Sequence, residues 1–249
     1  MQRAKTTINA VRLEVYRHLF TAMAEQMGAS LRGAAFSPNI KERRDYSCAV
    51  FDARGRVVAM GDHMPVHLGA MPMSVSAALE QFKNFIDGDV VALNDPFRGG
   101  THLPDITLVK PVFAENVLVA YLAVRAHHAD VGGIAPGSMP LAREIYQEGL
   151  RIPPVRLIRA GVRDDDLWRL VLANVRTPVE RDGDLAAQVG CLGVGAARLQ
   201  EMMTRRGIDE VVAAMDAVVD YGERLVRHGL SLIPFGDYSA EDFLEDDGF

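Results

Sequence analysis

Apolar residues near the start of the chain recur mostly at helical spacing: Ile8, Val11, Leu13, Val15, Leu19, Met23 and Met27. The periodicity predicts an amphipathic helix over residues 7–30, with Gly28 as its stop. A short polar loop dense in charge follows, Ser37-Pro38-Asn39-Ile40-Lys41-Glu42-Arg43-Arg44-Asp45. Two strand-like runs, 47–52 and 56–60, then flank Asp52-Ala53-Arg54-Gly55, which has the chemistry of a hairpin turn. Met73, Val75, Ala78, Leu79 and Phe82 predict a second helix over 70–85, and Gly88-Asp89 leads into a short apolar strand over 90–93. Strands over 106–113 and 117–124 are joined by Ala114-Glu115-Asn116. Beyond about Pro154 the pattern turns mostly helical, with candidates at 164–175, 185–206 and 208–230. Strands and helices are segregated along the chain, which predicts an α+β fold rather than alternating βαβ units. The division expected is a strand-rich region, 1–154, and a helical region, 155–249. The stretch from Tyr238 to Phe249 reads as the start of a further strand with nothing to pair with, so the helical region is expected to be incomplete there.

Composition narrows the class. The 249 residues include 27 Lys+Arg and 33 Asp+Glu, a net charge of −6, and 49% of them are hydrophobic. Such a chain is too apolar for a disordered one, and its acidity argues against general nucleic-acid binding, which needs a basic face. Its two cysteines, Cys48 and Cys191, cannot form a disulfide scaffold and read as small buried apolar residues in reduced form. The N-terminal stretch lacks the uninterrupted apolar segment of a signal peptide. No window approaches the roughly 18 apolar residues of a membrane span. The expected compartment is the cytoplasm.

The chemistry concentrates in Asn94-Asp95-Pro96-Phe97-Arg98-Gly99-Gly100-Thr101-His102-Leu103-Pro104-Asp105 and in His127-His128-Ala129-Asp130. Pro104 disfavours helix at Leu103, so His102 and Asp105 flank a turn entering a strand. Folding the hairpin about Glu115-Asn116 sets Asp105 opposite Arg125 to His127. His102, Asp105 and His127 therefore gather at one hairpin mouth, and two imidazoles with a carboxylate suit a divalent metal with a position left for water. The first hairpin brings Asp45 close to Asp62 and His63 at its own open end, making Asp45 a candidate fourth ligand if the two mouths face each other. The competing interpretation is a hydrogen-bonded loop staple in which His127 donates to a carboxylate and no ion is involved. His128 should point to the opposite strand face from His127, as a supporting or structural residue. His18 and His228 fall on predicted helices and read as surface residues.

Other motifs fail on spacing. Pro96-Phe97-Arg98-Gly99-Gly100-Thr101 lacks the glycine spacing and terminal Lys-Ser/Thr of a phosphate loop, and no helix is predicted after it. Gly190, Gly193 and Gly195 lie inside a predicted helix and read as close helix packing. No nucleophile elbow of the G-x-S-x-G type is present.

With those residues in view, the sequence resembles the hydantoinase B/oxoprolinase family. The resemblance is carried by Ala35 to Cys48, by Val66-His67-Leu68-Gly69-Ala70-Met71, by Asn94-Asp95-Pro96-Phe97, by Gly99 to Asp105, by His127 to Gly133, and by Gly183-Asp184-Leu185 and Ile233-Pro234. It runs over nearly the whole chain, whereas the usual family chain is much longer, so the match corresponds to its N-terminal half. The resemblance implies a partner A subunit of the sugar-kinase/actin-like type that binds ATP and phosphorylates the substrate carbonyl, within a hetero-oligomer. It implies that the B part then opens a cyclic amide (a lactam, hydantoin or 5-oxoproline) at a metal site, or carboxylates a small ketone as in acetone and acetophenone carboxylases. Carried over by position, His102, Asp105 and His127 fall on the family's metal-binding residues, and Asp45 matches a fourth carboxylate ligand of some members. Zn²⁺, Mn²⁺ or Fe²⁺ suits that donor set, Zn²⁺ and Mn²⁺ being the first expectation. His67 is a candidate catalytic residue lining the site, with a structural loop histidine as the alternative. A further alternative is a shortened subunit that binds the partner without catalysis.

Overall fold

The computed structural model describes residues 8–243. The chain builds one antiparallel seven-stranded sheet with helices on both faces. A long helix, α1 (Ala10–Ala34), is followed by a single turn, α2 (Pro38–Lys41), and by the hairpin β1 (Tyr46–Asp52) and β2 (Val57–Met60). Next come α3 (His67–Gln81), β3 (Val90–Leu93), and the hairpin β4 (Asp105–Ala114) and β5 (Val117–His127). Two short strands, β6 (Val155–Arg159) and β7 (Val162–Arg163), precede three helices, α4 (Asp165–Ala173), α5 (Pro178–Arg206) and α6 (Ile208–Ser231). The spatial strand order is β2-β1-β5-β4-β3-β6-β7. Helices and strands are segregated along most of the chain, and the fold class is α+β.

Both hairpins close as their turn residues require. In the first, the Asp52 carboxylate accepts from the backbone N–H of Arg54 and Arg56, and Gly55 takes a left-handed conformation. In the second, Glu115 and Asn116 both have positive φ, the requirement of a tight turn that matches strand twist. All seven residues of β1 are buried, because the sheet is covered on both sides. On one face α1, α5 and α6 bury Phe20, Met27, Leu122, Val124 and Leu192. On the other, α3 covers a smaller cluster with Phe51, Met71, Val75, Leu93 and Tyr121.

Several expectations change. Gly28 does not end α1, which continues to Ala34. There the glycine admits the ring of His63: a Cβ at Gly28 would run into His63 Nε2 and lie 2.9 Å from Tyr46. Of the glycines of α5 at 190, 193 and 195, only Gly195 is a close approach, against Met27 and Leu122, while Gly190 and Gly193 have open space. After Pro154 the chain still adds β6 to the free edge of β3. Residues 238–243, expected to begin a strand, form none, and the rest of that segment lies outside the described residues, as does the first residue of the expected N-terminal helix. Both cysteines are free and buried. His18 and His228 lie on α1 and α6 as exposed residues, as expected. No described helix is long and apolar enough to cross a membrane.

Candidate metal centre

The register of β4 and β5 places Asp105 opposite His127, at the first residue of one strand and the last of the other. The backbone N–H of His127 donates to Asp45 O across the neighbouring β1 edge, which draws Asp45 to the same end of the sheet. Arg44, just before it, is held at φ 58°, a conformation costly for a side chain of its size. His67 enters from above, on the first residue of α3. His102 comes from the loop between β3 and β4. Five residues from five separate segments thus meet at one sheet end.

Their atoms face one small volume. His102 Nε2 lies 3.2 Å from His127 Nδ1. Asp105 Oδ1 is 3.3 Å from His127 Nδ1, and Asp105 Oδ2 is 3.3 Å from both His102 Nδ1 and His67 Nε2. Asp45 stands slightly back, with Oδ1 3.9 Å from His67 Nε2 and Oδ2 3.8 Å from His127 Nδ1. One ligand atom each from His102, Asp105 and His127 can be chosen within 4.8 Å of one another. Asp105 is almost fully buried while His102 is 42% exposed, so the cluster opens to solvent on the His102 side.

Electrostatics follow from that packing. Burial raises the Asp105 carboxyl, but the neighbouring imidazoles of His102, His127 and His67 together outweigh it and hold the group well below the usual carboxylate range. The same carboxylate raises His102 by its hydrogen bond, against the opposing effect of burial. Thr101 Oγ1 also donates to Asp105 Oδ2, at 2.9 Å. Asp105 Oδ1 is buried with no hydrogen-bond partner. A neutral imidazole has one N–H, so His127 Nδ1 cannot satisfy Asp105, Asp45 and the facing nitrogen of His102 together. An orphaned carboxylate oxygen beside His127 Nδ1, with His102 Nε2 converging on that nitrogen, fits a divalent cation, and the N/O donor set suits Zn²⁺ or Mn²⁺.

His67 is nearly fully buried, with Nδ1 3.0 Å from Ser47 Oγ. Asp62 and His63, expected beside Asp45, both meet α1: the Asp62 backbone N–H donates to Glu25, while His63 Nδ1 accepts from the Cys48 N–H and Nε2 lies 3.3 Å from Glu25. His128 points to the α5 side, where Nε2 meets Gln188 Oε1 at 2.8 Å. Asp130 accepts from the backbone N–H and the guanidinium of Arg176. Asn94 staples the loop, its amide donating to Leu103 O and Leu150 O and accepting from Ile152 N–H. Thr101, Ser47 and Arg125 complete the polar surroundings. The sequence reading does not single them out, although an arginine in the apolar run Val117 to Ala126 is a visible anomaly.

Comparison with known proteins identifies the family. Residues 9–249 match the family model described as hydantoinase B/oxoprolinase, and the chain belongs to that family. The caprolactamase beta subunit of Pseudomonas jessenii is 36% identical over 97% of this chain and 42% of its own length. 5-Oxoprolinase 1 of Arabidopsis thaliana is 37% identical over 92% of this chain and 19% of its own. The crystal structure of the ATP-dependent caprolactamase from Pseudomonas jessenii superposes with a TM-score of 0.91, covering 98% of this chain and 42% of that one. The acetone carboxylase nucleotide-free structure shares the fold, with a TM-score of 0.75 at 19% identity, over 82% of this chain and 27% of that one. The chain spans about two fifths or less of the length of these relatives.

Proposed function

We propose that this chain forms the metal-binding part of an ATP-dependent enzyme that opens a cyclic amide, the ion being held by His102, Asp105, His127 and Asp45. The observation that carries the reading is the buried Asp105 Oδ1, which makes no hydrogen bond and lies 3.3 Å from His127 Nδ1, itself 3.2 Å from His102 Nε2. A divalent cation held there supplies Lewis acidity, polarising a carbonyl or phosphoryl oxygen and easing deprotonation of water. The protein's own contribution is positional. Thr101 and His67 both meet Asp105 Oδ2 and fix the carboxylate's rotamer. Ser47 in turn fixes the His67 ring, which lines the site from α3. His102, on the open side, is the residue that incoming substrate meets.

ATP is used on a partner subunit of the A type, within a hetero-oligomer. The relatives' names support this: one is named a caprolactamase beta subunit, another a D-/L-hydantoinase B subunit, and the caprolactamase is described as ATP-dependent. Ketone carboxylation is the competing reaction at the same residues, and the acetone carboxylase likeness extends to the fold. The test is reconstitution with an A-type partner, ATP and either a lactam or a ketone with bicarbonate. Lactam opening that needs ATP and a divalent ion, and that is lost in His102→Ala, is the expected result. Turnover of the ketone alone moves the assignment to carboxylation. Complex formation with neither activity leaves a chain that only binds its partner.

A further inference from the structure

On the strand that carries His127 lies a buried guanidinium with no carboxylate in ion-pair contact among the described residues, though the Asp105 charge acts on it from further off. Arg125 is wholly inaccessible. It sits on β5 two residues before His127, on the same face, opposite Ser47 of β1 and Thr107 of β4. Its Nε donates to Thr107 Oγ1 at 2.9 Å, and its Nη2 donates to Ser74 Oγ at 2.6 Å. The Ser74 hydroxyl, on α3, donates onward to Gly99 O. Nη1 has no partner. Burying a guanidinium on two hydroxyls and an unmade bond is unfavourable, and a well-packed apolar side chain in its place is often neutral or stabilising. Fold stability therefore does not explain this residue.

Its connections suggest another role. Thr107 shares β4 with Asp105, and Arg125 shares β5 with His127. Ser74 shares α3 with His67. Gly99 starts the loop that carries His102. The loop is also held by Gly99 at φ 85°, where a Cβ would meet Met73 O, by the Gly100 N–H bond to Asp95 O, by the Asn94 amide on Leu103 O and by the Thr101 hydroxyl on Asp105. We infer that Arg125 is a positioning residue: through Ser74 it clasps the His102 loop and α3 to the strands bearing Asp105 and His127, fixing the spacing of the cluster. Its value for an ion rests on the reading of the site given above; the clasp itself does not.

Two measurements on the purified chain separate these. One is hydrogen exchange of the Gly99 to His102 amides without metal, and the other is Zn²⁺ affinity by competition with a chromophoric chelator. Arg125→Met is expected to keep or raise thermal stability, to speed exchange in that loop at least tenfold, and to weaken Zn²⁺ binding about tenfold, the scale of a lost supporting contact. Ser74→Ala, which cuts the link while leaving the arginine, is expected to reproduce the faster loop exchange and serves if Arg125→Met does not fold. Unchanged loop exchange in both variants overturns the clasp. Tighter Zn²⁺ binding in Arg125→Met also overturns the positioning role, because the charge then merely opposes the ion. If the wild type binds no Zn²⁺ while the variant loops still loosen, the clasp stands and the metal reading fails.

Discussion

Three imidazoles converge on the Asp105 carboxylate, and most of the cluster's electrostatics follow from that one buried charge. Asp105→Asn is expected to lower the pKa of His102 in the metal-free protein, since the hydrogen bond that raises it loses its negative charge. NMR titration of the His102 ring checks this, and an unmoved titration excludes Asp105 as the cause. His128 behaves oppositely: burial pushes it down to about 4 from 6.5. The neutral form is favoured in the fold, so the stability it contributes is complete above pH 6.5 and is lost as pH falls toward 4. The expected loss is on the order of 3 kcal/mol for a fully buried ring. Urea unfolding from pH 7 to pH 4 should show that wild-type component missing in His128→Asn; identical pH dependences in the two proteins rule it out. Histidine pairing is legible in the sequence because Pro104 and the Glu115-Asn116 turn fix the register. The third imidazole, His67, joins only through α3, and no local spacing reveals where that helix lies over the sheet.

At the scale of elements, glycines of similar appearance do different work. Gly28 and Gly190 both interrupt helical patterns, in α1 and α5. Gly190→Ala meets nothing and should stabilise by about 0.5–1 kcal/mol through helix propensity alone. Gly28→Ala carries the same propensity gain but drives a methyl into the His63 ring, so its thermal midpoint should fall below wild type. Equal shifts in the two variants contradict the His63 contact. The 3.6-residue pattern locates both helices and cannot separate these cases, because the occupant of the space beside Gly28 lies 35 positions away in the sequence. Strands 47–52, 90–93 and 117–124 are readable from apolar runs bounded by turn residues. β6 and β7 are not, because Val155-Arg156-Leu157-Ile158-Arg159 carries two arginines and depends on pairing with β3.

For the whole molecule, the sheet places the ends of β4 and β5, the start of α3, Asp45 and the His102 loop at one end. The proposed reading assigns ATP use to a partner rather than to this chain. Purified alone it should show no ATP hydrolysis above background in a phosphate-release assay; robust turnover would contradict assigning ATP to the partner. The measurement that bears most directly on the cluster is metal content. The purified chain, dialysed against Zn²⁺ or Mn²⁺ and then against buffer, should retain close to one equivalent by elemental analysis, and the His102→Ala, His127→Ala double variant should retain almost none while keeping the wild-type circular dichroism. A well-folded wild type that retains no metal, or a double variant that retains as much, would mean that these residues are a hydrogen-bonded staple rather than a metal centre.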